Sequence, residues 1–459
     1  MKNILIKNGV IVTETETFEG DLMVSQNVIS RIGTDLEVSG DAAVIDAGGK
    51  YVLPGGVDVH THLNLTVGET RVGDGFFQGT AAAAHGGTTC VVEHPGFGPP
   101  GCSVKHQVAV YQADAAGQAV VDYGLHAVLQ HLEAPLPLDL DELGPMGVPS
   151  VKIYLTYDGR LNDGEILSVL NRTRKLGLLA VFHAENHAII QFLQDRFKQR
   201  GKAAPRYYAM SRPDFCETEA IQRVLHLARA AGDVPVYFAH LSTAEGLDII
   251  ERARRRGQPA YAEVCPQHLL LDVSCYDPPD VEGLKYVMAP PARRTEDREA
   301  LWQGLQNGSI QVVGSDHCAF TWADKLRLGR DDFSRCPGGI PGVETRLPLM
   351  FSEGVLKGRL SLNRFAALVA TEPARIMGLY PKKGSLIPGA DADLVIFDPD
   401  QEKVITPDIL HDAGGYSPYE GMTVCGWPML TMVRGKVVMD RGRLTAGKGW
   451  GRFVSRQLV

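Results

Sequence analysis

His60 and His62 are spaced to do chemistry together, because alternate side chains of an extended segment leave the same face and two imidazoles placed that way can share one metal ion. Four more polar residues stand at or near the ends of short apolar runs: Lys152, His183, His240 and Asp316. Imidazole and carboxylate both suit zinc-type ions, so these four histidines and one aspartate would hold one ion and part of a second. What the set lacks is an anionic bridge. Lys152 has two readings: an ordinary ammonium paired with a carboxylate on a rim, or a buried amine that loses its proton and adds carbon dioxide, giving a carbamate with two oxygen ligands. Two cations sharing a water would lower its pKa and polarise a carbonyl, which is what attack on a stable amide requires. Asp316 is placed to take the water's proton and return it to a leaving nitrogen.

Scattered residues of this kind need elements that gather them. Eight apolar runs qualify as strands, at 57–62, 88–93, 124–130, 151–156, 179–183, 234–240, 260–265 and 310–313, with helical segments between, among them 165–176, 217–231 and 244–256. Ile221, Val224, Leu225 and Ala228 recur at helical spacing, and Gly177, Gly232 and Gly257 follow three of the helices, where a chain leaving a helix turns left-handed. Strand alternating with helix eight times predicts an α/β fold, the parallel (β/α)8 TIM barrel, whose chemistry gathers at the C-terminal strand ends. The metal candidates fall at the ends of strands one, four, five, six and eight. The flanks are β-rich instead: runs at 4–6, 10–12, 22–24 and 28–29 with a hairpin turn at Asn8-Gly9, then 392–397 and 431–438 with a turn at Arg434-Gly435. The expected organisation is a catalytic barrel over 55–383 and a β-sandwich domain built from 1–54 with 384–459, the C-terminal tail included.

Composition agrees. The 459 residues exceed one ordinary core, and 44% hydrophobic with 22% charged residues describes a soluble globular enzyme. Net charge is −8 without a long basic run, and Arg252, Arg254, Arg255 and Arg256 read as a solvated helix end, so no nucleic-acid partner is expected. Eight cysteines without a Cys-x-x-Cys, and no signal-peptide pattern, point to reduced thiols and the cytoplasm. No apolar stretch nears the roughly 18 residues that span a bilayer, so no membrane is expected. His94, His126, His131, His268 and His317 read as core or supporting histidines, Cys318 and Cys336 are set aside as ligands, and Asp58, sharing strand parity with His60 and His62, is expected to orient one of their rings.

Several motifs carry a resemblance over essentially the whole chain: Pro54-Gly55-Gly56-Val57-Asp58-Val59-His60-Thr61-His62, Gly86-Gly87-Thr88-Thr89, Gly96-Phe97-Gly98-Pro99, the segment 152–157, His183-Ala184-Glu185-Asn186, Ser315-Asp316-His317-Cys318 and Gly342-Val343-Glu344. The sequence resembles the cyclic-amide hydrolases of the amidohydrolase superfamily, dihydropyrimidinases and D-hydantoinases, and in particular the bacterial D-phenylhydantoinase type. The resemblance implies a binuclear centre of two divalent ions, zinc foremost, bridged by a carboxylated Lys152. His60, His62 and Asp316 would hold one ion, and His183 and His240 the other. Tyr157 matches the tyrosine whose hydroxyl stabilises the oxyanion, a contribution of roughly 3 kcal/mol. It further implies a small cyclic ureide substrate and a homotetramer.

Two positions depart from the family's pattern. Ala289 stands where a serine usually precedes the paired prolines, and Gly338 where an asparagine usually follows Pro337. In relatives these positions hold the ring amide largely through main-chain groups, so Ala289 and Gly338 are expected to bind substrate still. After His62 the lip is Leu63-Asn64-Leu65-Thr66-Val67, without the arginine that dihydroorotases use for a carboxylate; Leu63 and Leu65 are expected to favour hydantoins with an apolar 5-substituent. Phe320 and Trp322 would either add aromatic surface or pack. The competing readings are an allantoinase or dihydroorotase-type ureide hydrolase, a non-catalytic scaffold of the collapsin-response type, and a barrel phosphoester hydrolase.

Overall fold

In the computed structural model, which describes residues 3–37, 42–130, 139–278 and 280–458, the apolar runs become strands buried on both faces, as parallel strands covered by helices must be. Gly56–Thr61, Thr88–Glu93, Asp122–Leu125 with Ala127–Val128, Ser150–Tyr154, Leu179–His183, Val236–Phe238, Ala260–Val264 and Val312–Val313 pair in that order, all parallel. The third strand differs from the expected single run: its first half pairs with the second strand and its second half with the fourth. His126 is the break, donating its N–H to Glu93 O at 2.8 Å. The circle closes where His62 N meets His317 O at 2.8 Å and Thr61 bridges His317.

The helices follow their local signals. Asp163–Leu176 opens on a capping box between Asn162 and Glu165 and ends at Gly177 with φ 65°. Asp214–Ala230 buries Ile221, Val224, Leu225 and Ala228 as the spacing predicts. Across the strands, Lys152 aligns with Val181 and Val181 with Tyr237, so these side chains share a face.

The second sheet is predominantly antiparallel and draws on both ends of the chain. Its order runs Arg443–Leu444, Lys436–Asp440, Thr423–Val433, Leu394–Val404, Tyr51–Pro54, Ile4–Val12, Thr17–Ser25 and Val28–Gly33, with Ala43–Asp46 beside Ile4–Val12. The two turn signals part company. Arg434-Gly435, with φ 47° and 73°, makes the expected hairpin. Asn8-Gly9 makes none: Asn8 has φ 59°, but Ile4–Val12 runs through it as one strand with a register shift between Ile6 and Gly9, a bulge. Asp21 Oδ1 takes the Asn8 N–H at 3.0 Å, and a Cβ on Gly9 would stand 2.6 Å from Val52, so neighbours rather than a turn use this pair.

The end of the C-terminal tail packs against the barrel. Val454 N donates to Tyr123 O at 2.8 Å, and the buried Arg456 guanidinium bonds Ser150 Oγ at 2.8 Å. Barrel and sheet also share a buried ion cluster: Lys383 Nζ lies 2.5 Å from Asp122, 2.9 Å from Asp391 and 2.7 Å from Asp393.

Candidate metal centre

Strand geometry brings three of the candidate ligands together. His60 Nε2 lies 3.1 Å and His62 Nε2 3.2 Å from Asp316 Oδ1, and the ligand atoms of the three residues fall within 4.8 Å of one another. His183 ends the fifth strand, and its ring centroid is 4.5 Å from that of His240, which is 5.3 Å from that of His60. Glu185 Oε2 holds His183 Nε2 at 2.8 Å and takes Arg212 Nη1 at 2.5 Å, so that only Nδ1 of His183 is left to face an ion. Lys152 lies inside the fourth strand, buried, with no hydrogen-bond partner for Nζ among the described residues. Tyr157, His240 and Asp316 take φ of 70°, 38° and 51°, left-handed values that are uncommon for non-glycine residues.

Burial sets the charges. It pushes His60, His183 and His240 below the usual imidazole range, which favours the neutral form that ligates. Burial also takes the Lys152 amine down to about 8, against the pull of Glu263 and Asp316. Asp316 feels burial as an upward push, yet His60, then His62 and Lys152, hold it below the usual carboxylate range. A buried amine without an acceptor, beside buried unpartnered Nδ1 atoms of His62 and His240, is costly as it stands. The donor set fits two divalent cations, and a carboxylated Lys152 would offer them its two oxygens. The other acidic group, Asp122 with Asp391 and Asp393, already holds the Lys383 ammonium.

Sequence reasoning missed the residue that orients His60. Glu263, in the seventh strand, holds His60 Nδ1 at 2.6 Å, takes His240 N at 3.0 Å and Tyr237 OH at 2.7 Å, and so spans both halves of the site. A lone carboxylate inside Ala-Tyr-Ala-Glu-Val was the available signal. Gly314 makes room for it, since a Cβ there would stand 2.9 Å from the Glu263 carboxyl. Asp58, the expected orienter, does other work: Oδ1 takes Ser315 N at 3.1 Å and His60 N at 3.2 Å, and Arg346 lies 3.5 Å from Oδ2, so it helps close the barrel. His126 bonds Ser150 and Val59, His317 bonds Asp74, and His268 bonds Pro290 O. His94 bonds Val59 O through Nε2 while its Nδ1 is buried without a partner; His131 lies outside the described residues.

The ligands open into a cavity of about 750 Å³, whose wall includes Leu65, Phe97, Tyr157, Ala289, Phe320, Cys318, Cys336 and Gly338. The Tyr157 ring is 37% exposed and 5.3 Å from that of His183. Leu63 is a correction: following His62, it points to the opposite face and packs in the core, where a Cβ on Gly79 would strike it at 2.2 Å. Trp322 packs 6.0 Å from Tyr416 and is not part of the wall.

Residues 51–438 match the amidohydrolase family. The chain is 46% identical over 457 residues to a D-phenylhydantoinase of Escherichia coli O1:K1, covering 99% of this chain and 98% of that one. Among solved structures, a dihydropyrimidinase from Brevibacillus agri is similar with a TM-score of 0.96 at 38% identity, over 99% of this chain and 98% of the other. A D-hydantoinase from a Bacillus species, strain AR9, is similar with a TM-score of 0.95 at 38% identity, over 99% of both chains.

Proposed function

This chain belongs to the amidohydrolase family, and from that premise we propose that it opens 5-substituted hydantoins, aryl or alkyl, to N-carbamoyl amino acids, with dihydropyrimidines as related substrates. It is a cyclic amidohydrolase. The observation that carries the substrate reading is the cavity, whose lining brings the six candidate ligands together with apolar Leu65, Val67, Phe97 and Phe320, while Glu69, Asp158, Arg212 and Arg335 also line it. An apolar ring substituent loses little against the apolar part of that lining, whereas a carboxylate on the ring would forfeit water there.

His60, His62 and Asp316 would hold one zinc-type ion, His183 and His240 the other, and a carboxylated Lys152 would join them. When bound, the ions supply Lewis acidity and acidify water. Asp316 is then the group that takes the proton from the attacking water and delivers it to the ring nitrogen as the carbon–nitrogen bond breaks. Tyr157, exposed to the cavity beside His183, donates its hydroxyl to the oxyanion. Glu263 and Glu185 fix the rings of His60 and His183.

The reading places catalysis in the barrel, 55–383, with the sheet supplied by 1–54 and the segment from 384. Eight free cysteines support the cytoplasm as the compartment, and a homotetramer rests on family likeness alone. A panel of cyclic ureides, run on enzyme reconstituted with zinc in bicarbonate, decides the substrate. Phenylhydantoin should be turned over at least about tenfold better than dihydroorotate or allantoin. Equal or reversed preference would overturn the reading, and a purified protein that takes up far less than one equivalent of metal would favour the scaffold instead.

A further inference from the structure

Two loops in the cavity wall contribute short, mostly apolar side chains. One carries Ala289, and the other runs Cys336-Pro337-Gly338-Gly339. Among the described residues, the N–H and C=O of Ala289 and of Gly338 make no hydrogen bond within the protein. A ring amide needs one acceptor and one donor, and the free main-chain groups of these loops are suited to supply both. Such recognition depends on the spacing of two irregular segments, neither of which belongs to a strand.

One side chain joins them from behind. Lys325, on the helix Trp322–Gly329, donates from Nζ to Val287 O at 2.8 Å and to Pro337 O at 3.1 Å, two residues before Ala289 and one before Gly338. Gly339 N adds a bond to Val287 O at 3.0 Å. Lys325 is fully buried, and among the described residues no carboxylate pairs with it. Among the described residues, Nζ meets the two carbonyl oxygens, with the Tyr416 ring 5.9 Å away and the Cys318 and Cys336 thiols nearby. Burying an ammonium without an anion costs stability, and an apolar chain of similar volume would avoid that cost. We propose that Lys325 is a positioning residue that holds the two substrate loops at the spacing their free main-chain groups need to grip a cyclic amide.

This rests on the ureide-opening function above. The experiment is steady-state kinetics of zinc-loaded Lys325→Met and Lys325→Arg beside the wild type, on phenylhydantoin and on dihydrouracil, with metal content and melting temperature measured in parallel. Lys325→Met should raise KM for both substrates by about tenfold or more, keep kcat within about threefold, and retain its metal; Lys325→Arg should recover part of the KM. An unchanged KM, or a kcat that collapses together with metal content, would overturn the proposal. Should Lys325→Met fail to fold, Lys325→Arg decides: a KM raised for both substrates with kcat and metal content kept supports the clamp, and a KM equal to the wild type's for both overturns it. A wild type that opens neither ring overturns the function itself, an outcome distinct from the failure of Lys325 alone.

Discussion

The two walls of the cavity are built on opposite plans. The ligand wall is side chains at or near strand ends, two of them braced: His60 by Glu263 at 2.6 Å, and His183 by Glu185 at 2.8 Å with Glu185 in turn held by Arg212 at 2.5 Å. The substrate loops offer backbone, with Ala289 and Gly338 contributing no polar side chain and one lysine tying the loops together. On the proposed function, the contrast sets chemistry held by carboxylate networks against recognition held by the course of the chain. Substitutions in the first wall should therefore act on metal and turnover, and those behind the second on KM.

The largest effect that could break this division is at Lys152. Lys152→Ala should lower turnover by about a thousandfold or more and shed metal, with part of both returning when acetate or propionate stands in for the carbamate. Metal analysis and turnover at wild-type levels would show that no lysine-derived bridge exists. Next comes Glu263→Gln, expected to weaken metal affinity by about 10–100-fold, read by competition with a chelator, while KM of the reloaded enzyme stays put. A raised KM with normal affinity would erase the distinction between the walls.

The smallest effect probes how far bracing extends beneath the ligand wall. Glu217 accepts from Ser242 N at 2.9 Å and Ser242 Oγ at 3.0 Å, just past His240, and burial pushes its carboxyl up to about 7 despite nearby Arg293. A raised folded pKa means the native chain binds the extra proton; the stabilisation is complete below the usual carboxylate range and is lost as pH climbs through about 7. Melting curves from about pH 5 to about pH 8 should then show Glu217→Gln gaining on the wild type, by on the order of 3 kcal/mol at most. A difference that stays flat with pH would mean that Glu217 remains ionised throughout.

The ligand wall was the legible one. His60 and His62 stand out by strand parity, and His183, His240 and Asp316 by standing at the ends of apolar runs, and the folded chain brings these candidates together. Glu263 was readable as a carboxylate in an apolar strand, but its partner lies 203 residues away, and nothing local names that partner. Lys325 was less legible still: it sits on a short helix like any solvated lysine, and only the folded chain shows it buried between two carbonyls. Leu63 and Asn8 failed for a related reason. Their neighbours in sequence suggested a lip and a turn, while Gly79 and Asp21, far along the chain, set where they went.

Lys383 joins the halves of the molecule by charge rather than by grease, with Asp122 from the barrel and Asp391 and Asp393 from the stretch that enters the sheet all gripping one ammonium. Parting them would leave naked charges in an interior that cannot solvate them. The sheet is thus no detachable module: transplanting it, or trimming the barrel free of it, would demand that the ions at the seam be rewritten on both sides at once.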